Sequence, residues 1–306
     1  MNAEMTSLIN VLRAISEKAG SRSGNVFQAA VNGRVRLGER WYDTSATSLN
    51  LYKKGLTDED AARLKHFRQL RELNIGGNGI TDISFVKELP QLRSLSIHNN
   101  DITDLFPLSA LTELTELIAG GNPVKHYGVI SQLTSLVHLN LYNAGVADIR
   151  FIAPLKRLRI LYAPKNDISD ISVLSQLPKL RQINLGSNRV RDISVLSAHT
   201  ELEILELYNS SLPTESTNDI TDISPLRGLT KLRRLNLKYN SVSDISALSA
   251  MTQLHELNLS HNLITDFSPL EGKDIRILYT DGNPRCVPQP QSGTFLQMLK
   301  NIFPKL

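Results

Sequence analysis

LRSLSIHNNDITDLFPLSALTE, residues 92–113, sets out a phrase that returns along most of the 306-residue chain. Within it Leu95 and Ile97 alternate with polar neighbours, the pattern of a short strand with one buried face. Leu92, Ile102, Leu105, Leu108 and Leu111 supply the rest of one core layer. Copies begin at Leu70, Leu92, Leu114, Leu136, Leu158, Leu180, Leu202, Leu232 and Leu254, with a truncated one at Ile275 and a divergent unit over residues 46–69. Most are 22 residues long; the copy from Leu202 has 30 and the copy from Leu254 has 21.

A single coil of this length cannot bury its own apolar side chains, so neighbouring copies must stack and align their strands. The expected architecture is an α/β solenoid: a curved leucine-rich-repeat horseshoe with a parallel concave sheet and short 3-10 or helical return segments. Residues 46–285 form its body, with an insertion over 210–217. Residues 1–45 are expected to cap the first layer with a helix (Met5, Leu8, Ile9, Leu12 and Ile15 on one stripe) and a hairpin turning at Asn32-Gly33. Residues 286–306 are expected to close the last layer with a short helix from about Thr294 to Ile302.

Asparagine follows each strand at Asn78, Asn100, Asn122, Asn166, Asn188, Asn218, Asn240, Asn262 and Asn283. Its amide both donates and accepts, so a stacked column of them satisfies backbone groups that the turn leaves bare. Ala144 interrupts the column, which predicts an unmet polar group there. A second column holds Asp82, Asp104, Asp148, Asp170, Asp192, Asp222, Asp244 and Asp266. Each aspartate is placed to accept a backbone N–H where the chain enters the return segment. Identical carboxylates in every repeat, with no added histidine, give no reason to expect a metal array or acid catalysis.

Apolar residues make up 41% and charged residues 21% of the chain, as in ordinary globular proteins, and the formal charge is +4. That mild excess favours an acidic partner without calling for nucleic acid. The lone Cys286 leaves no intramolecular disulfide, and it lacks an adjacent acid or histidine that would make it a nucleophile. The first twenty residues carry Glu4, Arg13, Glu17 and Lys18, which break any secretory apolar core. The expectation is a monomer without membrane insertion or cofactor, in the cytoplasm or exported without a cleavable signal. No P-loop, zinc-binding pair or nucleophile elbow occurs, so the chain reads as non-catalytic.

Function is most legible at the strand positions that point outward. Tyr52, Tyr142, Tyr162, Tyr208, Tyr239 and Tyr279 lie at or just after them, whereas Phe85, Phe106, Phe151 and Phe267 fall in return segments. Strand propensity alone would have brought phenylalanine along. Tyrosine has a rigid ring and a hydrogen-bonding tip, suited to a surface wet when free and buried in a complex. Ile118, Glu206, Lys238, His98 and His138 join the tyrosines as expected contacts. Asn50, Asn74, Asn140, Asn184, Asn236 and Asn258 form an outward column expected to bond side by side along the sheet. Arg159, Arg181, Arg233 and Arg234 mark a basic edge able to steer an acidic partner.

The stretch NDITDISPLRGLTKLRRLNL, Asn218 to Leu237, resembles the bacterial internalin type of 22-residue repeat. The likeness is carried by Asp222–Leu226 and echoed in Asp266–Leu270. It implies protein recognition by the concave sheet, as an adaptor, an inhibitor or an effector translocated into a host. Internalins also begin with a secretion signal and continue into attachment regions, which this sequence does not show; a surface adhesion protein is therefore the alternative reading. An enzyme subunit acting through the terminal segments is the remaining one.

Overall fold

Burial of one apolar residue at the centre of every repeat's strand builds the molecule, whose computed structural model describes residues 33–211 and 216–284. Eleven three-residue strands form one parallel sheet in chain order. They are β3 (Ser48–Asn50), β4 (Glu72–Asn74), β5 (Ser94–Ser96), β6 (Glu116–Ile118), β7 (His138–Asn140), β8 (Ile160–Tyr162), β9 (Gln182–Asn184), β10 (Ile204–Glu206), β11 (Arg234–Asn236), β12 (Glu256–Asn258) and β13 (Ile277–Tyr279). Leu95, Leu117, Leu139, Leu161, Ile183, Leu205 and Leu235 stand opposite one another across seven of them, all fully buried. Together they line one continuous core, so stability is shared between neighbours as in other solenoids.

Return segments are single 3-10 turns such as Phe106–Ala110, Ser172–Gln176 and Ser224–Gly228. All eight aspartates of the column open these turns as expected. Asp104 accepts the Phe106 N–H at 2.8 Å, Asp170 that of Ser172 at 2.8 Å and Asp222 that of Ser224 at 2.7 Å. Asp82, Asp148, Asp192, Asp244 and Asp266 do likewise two residues ahead. Each carboxylate is thus committed to its own turn.

The asparagine column works in both directions. Asn100 Nδ2 donates to the carbonyls of Ile75 (3.1 Å) and Ile97 (2.9 Å), while its Oδ1 accepts from the amides of Asn78 (3.1 Å) and Ile80 (3.0 Å). At Ala144 the expected deficit falls on the acceptor side: among the described residues nothing takes the N–H of Asn122 or Val124 as Asn100 Oδ1 takes those of Asn78 and Ile80. The Ala144 N–H donates to Asn166 Oδ1 at 3.0 Å, and its carbonyl accepts the Tyr127 hydroxyl. Tyr127 stands where Leu105 and Ile149 stand in adjacent repeats, and its length lets the phenol reach the Ala144 carbonyl. The carbonyls of Ala119 and Leu141 each keep one asparagine donor, from Asn122 (3.0 Å) and Asn166 (2.8 Å).

Ahead of the sheet, β1 (Arg34–Leu37) and β2 (Arg40–Asp43) form an antiparallel hairpin. Its turn is at Gly38-Glu39; the turn expected at Asn32-Gly33 reaches outside the described residues. Gly33 sits at the open end, where its carbonyl accepts the Thr44 N–H at 2.8 Å. Val35 and Leu37 alternate with exposed arginines and point into the core. The first return segment, α1 (Asp58–Arg63), is capped by Thr57, and Asp60 Oδ1 accepts the Gly38 N–H at 3.0 Å to hold the hairpin. The expected helices near Met5–Ile15 and Thr294–Ile302, and Cys286, lie outside the described residues.

Candidate functional site

Three rows of side chains cross the concave sheet: one before each strand, one on it, and one just past its C-terminal end. The first is the basic edge. Arg181 is paired there with Glu203 at 2.9 Å, Lys231 with Glu201 at 2.5 Å and Arg93 with Glu113. Arg159 and Arg233 are exposed, with no ion pair among the described residues. Arg234 lies one residue inside, on β11, between Glu256 at 2.7 Å and Glu206 at 3.8 Å. Much of the positive charge expected on this edge is therefore met within the protein.

On the strands themselves, the outward asparagines do not bond side by side as the sequence suggested. Asn50, Asn74, Asn140, Asn184, Asn236 and Asn258 instead accept the backbone N–H two residues ahead, at 2.9–3.2 Å. A two-residue reach closes the strand end locally, and that short loop wins over the cross-strand partner. Asn184 does both, its Nδ2 donating to Glu206 at 2.7 Å. Glu206 is half-buried; burial raises its carboxyl above the usual range, Arg234 opposes this, and Glu256 adds to it. Ile118 lies half-buried on β6 between Ser96 and Asn140.

His138 Nδ1 meets Glu116 at 2.8 Å, and its ring stands edge-on to Tyr162 with centroids 5.6 Å apart. A carboxylate–imidazole couple is half of a general-base arrangement, which needs a hydroxyl or thiol at the other nitrogen. That nitrogen, Nε2, is buried without a hydrogen-bond partner. The Tyr162 hydroxyl points elsewhere, donating to Gln182 Oε1 at 2.7 Å. Among the described residues no group of three or more His, Cys, Asp or Glu converges as a metal-ligand set.

The third row is aromatic. Tyr52 stacks on His98 with centroids 5.3 Å apart, and Tyr239 on His261 at 4.1 Å. The Tyr208 ring lies over Gly186, where a Cβ would come within 2.7 Å of it. Its phenol is raised above the ordinary tyrosine range, first by burial and then by the Glu206 charge. Lysine ammonium groups sit over three rings: Lys53 over Tyr52 at 5.3 Å, Lys165 over Tyr142 at 5.9 Å and Lys238 over Tyr239 at 4.9 Å. Tyr142 and Tyr279 are 40% and 50% exposed, while Tyr162, Tyr208 and Tyr239 are half-buried against neighbours. Sequence reasoning missed Lys53 and Lys165 and the tyrosine–histidine pairs. Lys53 was legible beside Tyr52; the others meet only when repeats stack.

The inserted loop leaves the sheet after Tyr208. Asn209 and Asn218 close its neck, and Ser216 Oγ donates to Asp167 at 2.6 Å. β10 and β11 still pair in register, Leu205 opposite Leu235.

This sheet and its ladders define a leucine-rich-repeat protein. A family model described as Leucine Rich repeats (2 copies) matches residues 156–198 and 230–272. No curated protein matches the chain in sequence. An internalin (inlF) from Listeria monocytogenes superposes with a TM-score of 0.67 at 26% identity, covering 91% of this chain and 82% of that one. A leucine-rich-repeat protein of Leptospira interrogans (LIC12759) shares the fold at 20% identity and TM-score 0.60, with 79% and 74% covered. The chain is an internalin-like leucine-rich-repeat protein, a protein–protein interaction module. No helix among the described residues is long and apolar enough to cross a membrane.

Proposed function

We propose that the protein is a non-catalytic binder that holds a folded protein or peptide partner in its concave face, with Tyr142, Tyr162, Tyr208 and Tyr239 as anchors. The supporting observation is that the aromatic rings are ordered before any partner arrives. Tyr239 is stacked on His261, Tyr208 rests on Gly186, and Tyr162 is bonded to Gln182. Rings fixed in advance lose little entropy on binding, which is how aromatic hot spots yield affinity. Tyr239 also adopts φ +58°, the left-handed turn that Gly77 and Asn99 fill in other repeats.

In a bacterial cell such a surface suits an adaptor, an inhibitor or a translocated effector. The test is affinity capture with the wild-type chain, the double variant Tyr142→Ala/Tyr239→Ala, and Phe106→Ala on the return side. A partner retained by wild type and Phe106→Ala but lost from the double variant, with melting unchanged, supports the reading. Equal retention by all three overturns it.

A further inference from the structure

The row just past the strand ends is chemically one-sided. Its cations are Lys53, Lys165 and Lys238, each over a tyrosine ring. Among its described residues between Tyr52 and His261 there is no carboxylate; the first is Asp281, beyond the last stacked pair. The strands behind it carry a net charge of the opposite sign, with Glu72, Glu116, Glu206 and Glu256 against Arg234. The concave face is thus polarised across its width, acidic on the strands and cationic-aromatic at their C-terminal ends.

The row is also low. A Cβ at Gly76 would fall within 2.4 Å of the His98 ring, and one at Gly186 within 2.7 Å of the Tyr208 ring. Both rings therefore lie down over glycine backbone instead of standing up from the sheet. A floor of flat ring faces suits a chain laid along it better than a knob that needs a socket.

Its spacing is regular. Tyr52, Tyr142 and Tyr239 follow β3, β7 and β11, four strands apart each time. At about 4.8 Å per strand the separation is about 19 Å, and an extended chain covers that in about six residues at roughly 3.3 Å each.

We propose that this row docks an acidic, extended segment of the partner, running across the strands with carboxylates about six residues apart that meet the three tyrosine–lysine units. The inference rests on the concave-face reading above and adds the partner's chemistry and direction to it. Carboxylates meet the ammonium groups while the intervening apolar side chains lie on the rings, and the strand glutamates repel the segment from the sheet centre.

Two labelled synthetic peptides of identical composition test it against the full chain at low salt, by fluorescence anisotropy. One carries single aspartates at positions 1, 7 and 13; its isomer carries all three at one end. The spaced peptide is expected to bind at least tenfold more tightly. Lys53→Glu/Lys238→Glu is expected to abolish that advantage, whereas Lys87→Glu, the same charge change on the return side, leaves it intact. Equal affinity for the isomers, no binding of either, or equal loss with Lys87→Glu overturns the proposal. The concave-face reading fails separately, by retention of a captured partner on Tyr142→Ala/Tyr239→Ala.

Discussion

Asn209 and Asn218 close the inserted loop upon each other: Asn209 Nδ2 donates to the Asn218 carbonyl at 2.9 Å, and the Asn218 N–H donates to Asn209 Oδ1 at 2.7 Å. Asn218 meanwhile keeps its place in the ladder, donating to the carbonyls of Leu185 (2.9 Å) and Leu207 (3.2 Å) and accepting from Val190. The register survives eight extra residues because the neck is tied at its base. Deleting Ser210 to Thr217 would leave Asn209 and Asn218 adjacent, as Asn99 and Asn100 are. That deletion is expected to change stability by less than about 1 kcal/mol, since loop length costs little. Asn218→Ala leaves buried backbone groups unmet and should cost about 1–3 kcal/mol. Urea melts of the two variants check both values.

The Tyr127 hydroxyl donates to the carbonyl of Ala144, beside the break in the asparagine column, and burial pushes its phenol up to about 12. A folded pKa above the unfolded value of 10.0 means that its contribution is complete below pH 10 and is lost as pH rises through about 12. Phenolate absorbance should show a late step near 12 after the exposed tyrosines have ionised. Tyr127→Phe should remove that late step and destabilise the fold by about 1 kcal/mol.

Burial against Tyr52 lowers the His98 imidazole below its ordinary 6.5. For a base this means that the stabilisation is present above pH 6.5 and is lost as pH falls through the depressed folded value. Proton NMR titration should place His98 below the ordinary imidazole value of 6.5. Tyr52→Ala should move it back up by exposing the ring.

Glycines in the aromatic row differ in what they protect. A Cβ at Gly120 would lie 2.2 Å from the Tyr142 carbonyl oxygen, a backbone atom that cannot swing away; at Gly186 it would meet only the Tyr208 ring. Gly120→Ala should therefore cost about 1–3 kcal/mol, the usual range for overpacking. Gly186→Ala should cost less and act chiefly by lifting the ring. Thermal melts rank the two.

The repeat made the fold legible from residues such as Leu95, Ile97 and Asp104, because each serves its own coil and its role depends on local spacing. The candidate site was legible only as a set of tyrosines. Pairs such as Tyr52–His98 and Lys165–Tyr142 join residues 46 and 23 positions apart, and no local pattern announces them. The Asn184 column misled for the opposite reason: its partner was two residues away, and the expectation reached across the sheet. The hairpin turn at Gly38 was hidden because Gly38-Glu39 is a weaker turn signal than the nearby Asn32-Gly33.

Whether the partner sits in the concave face is read most directly by site-specific photocrosslinking. A photoreactive phenylalanine analogue is placed at Tyr142 in one protein and at Phe106 on the return side in another, and each is irradiated with the captured partner. Crosslinks from position 142 and none from 106 are the predicted result; crosslinks from 106 with none from 142 would contradict the account.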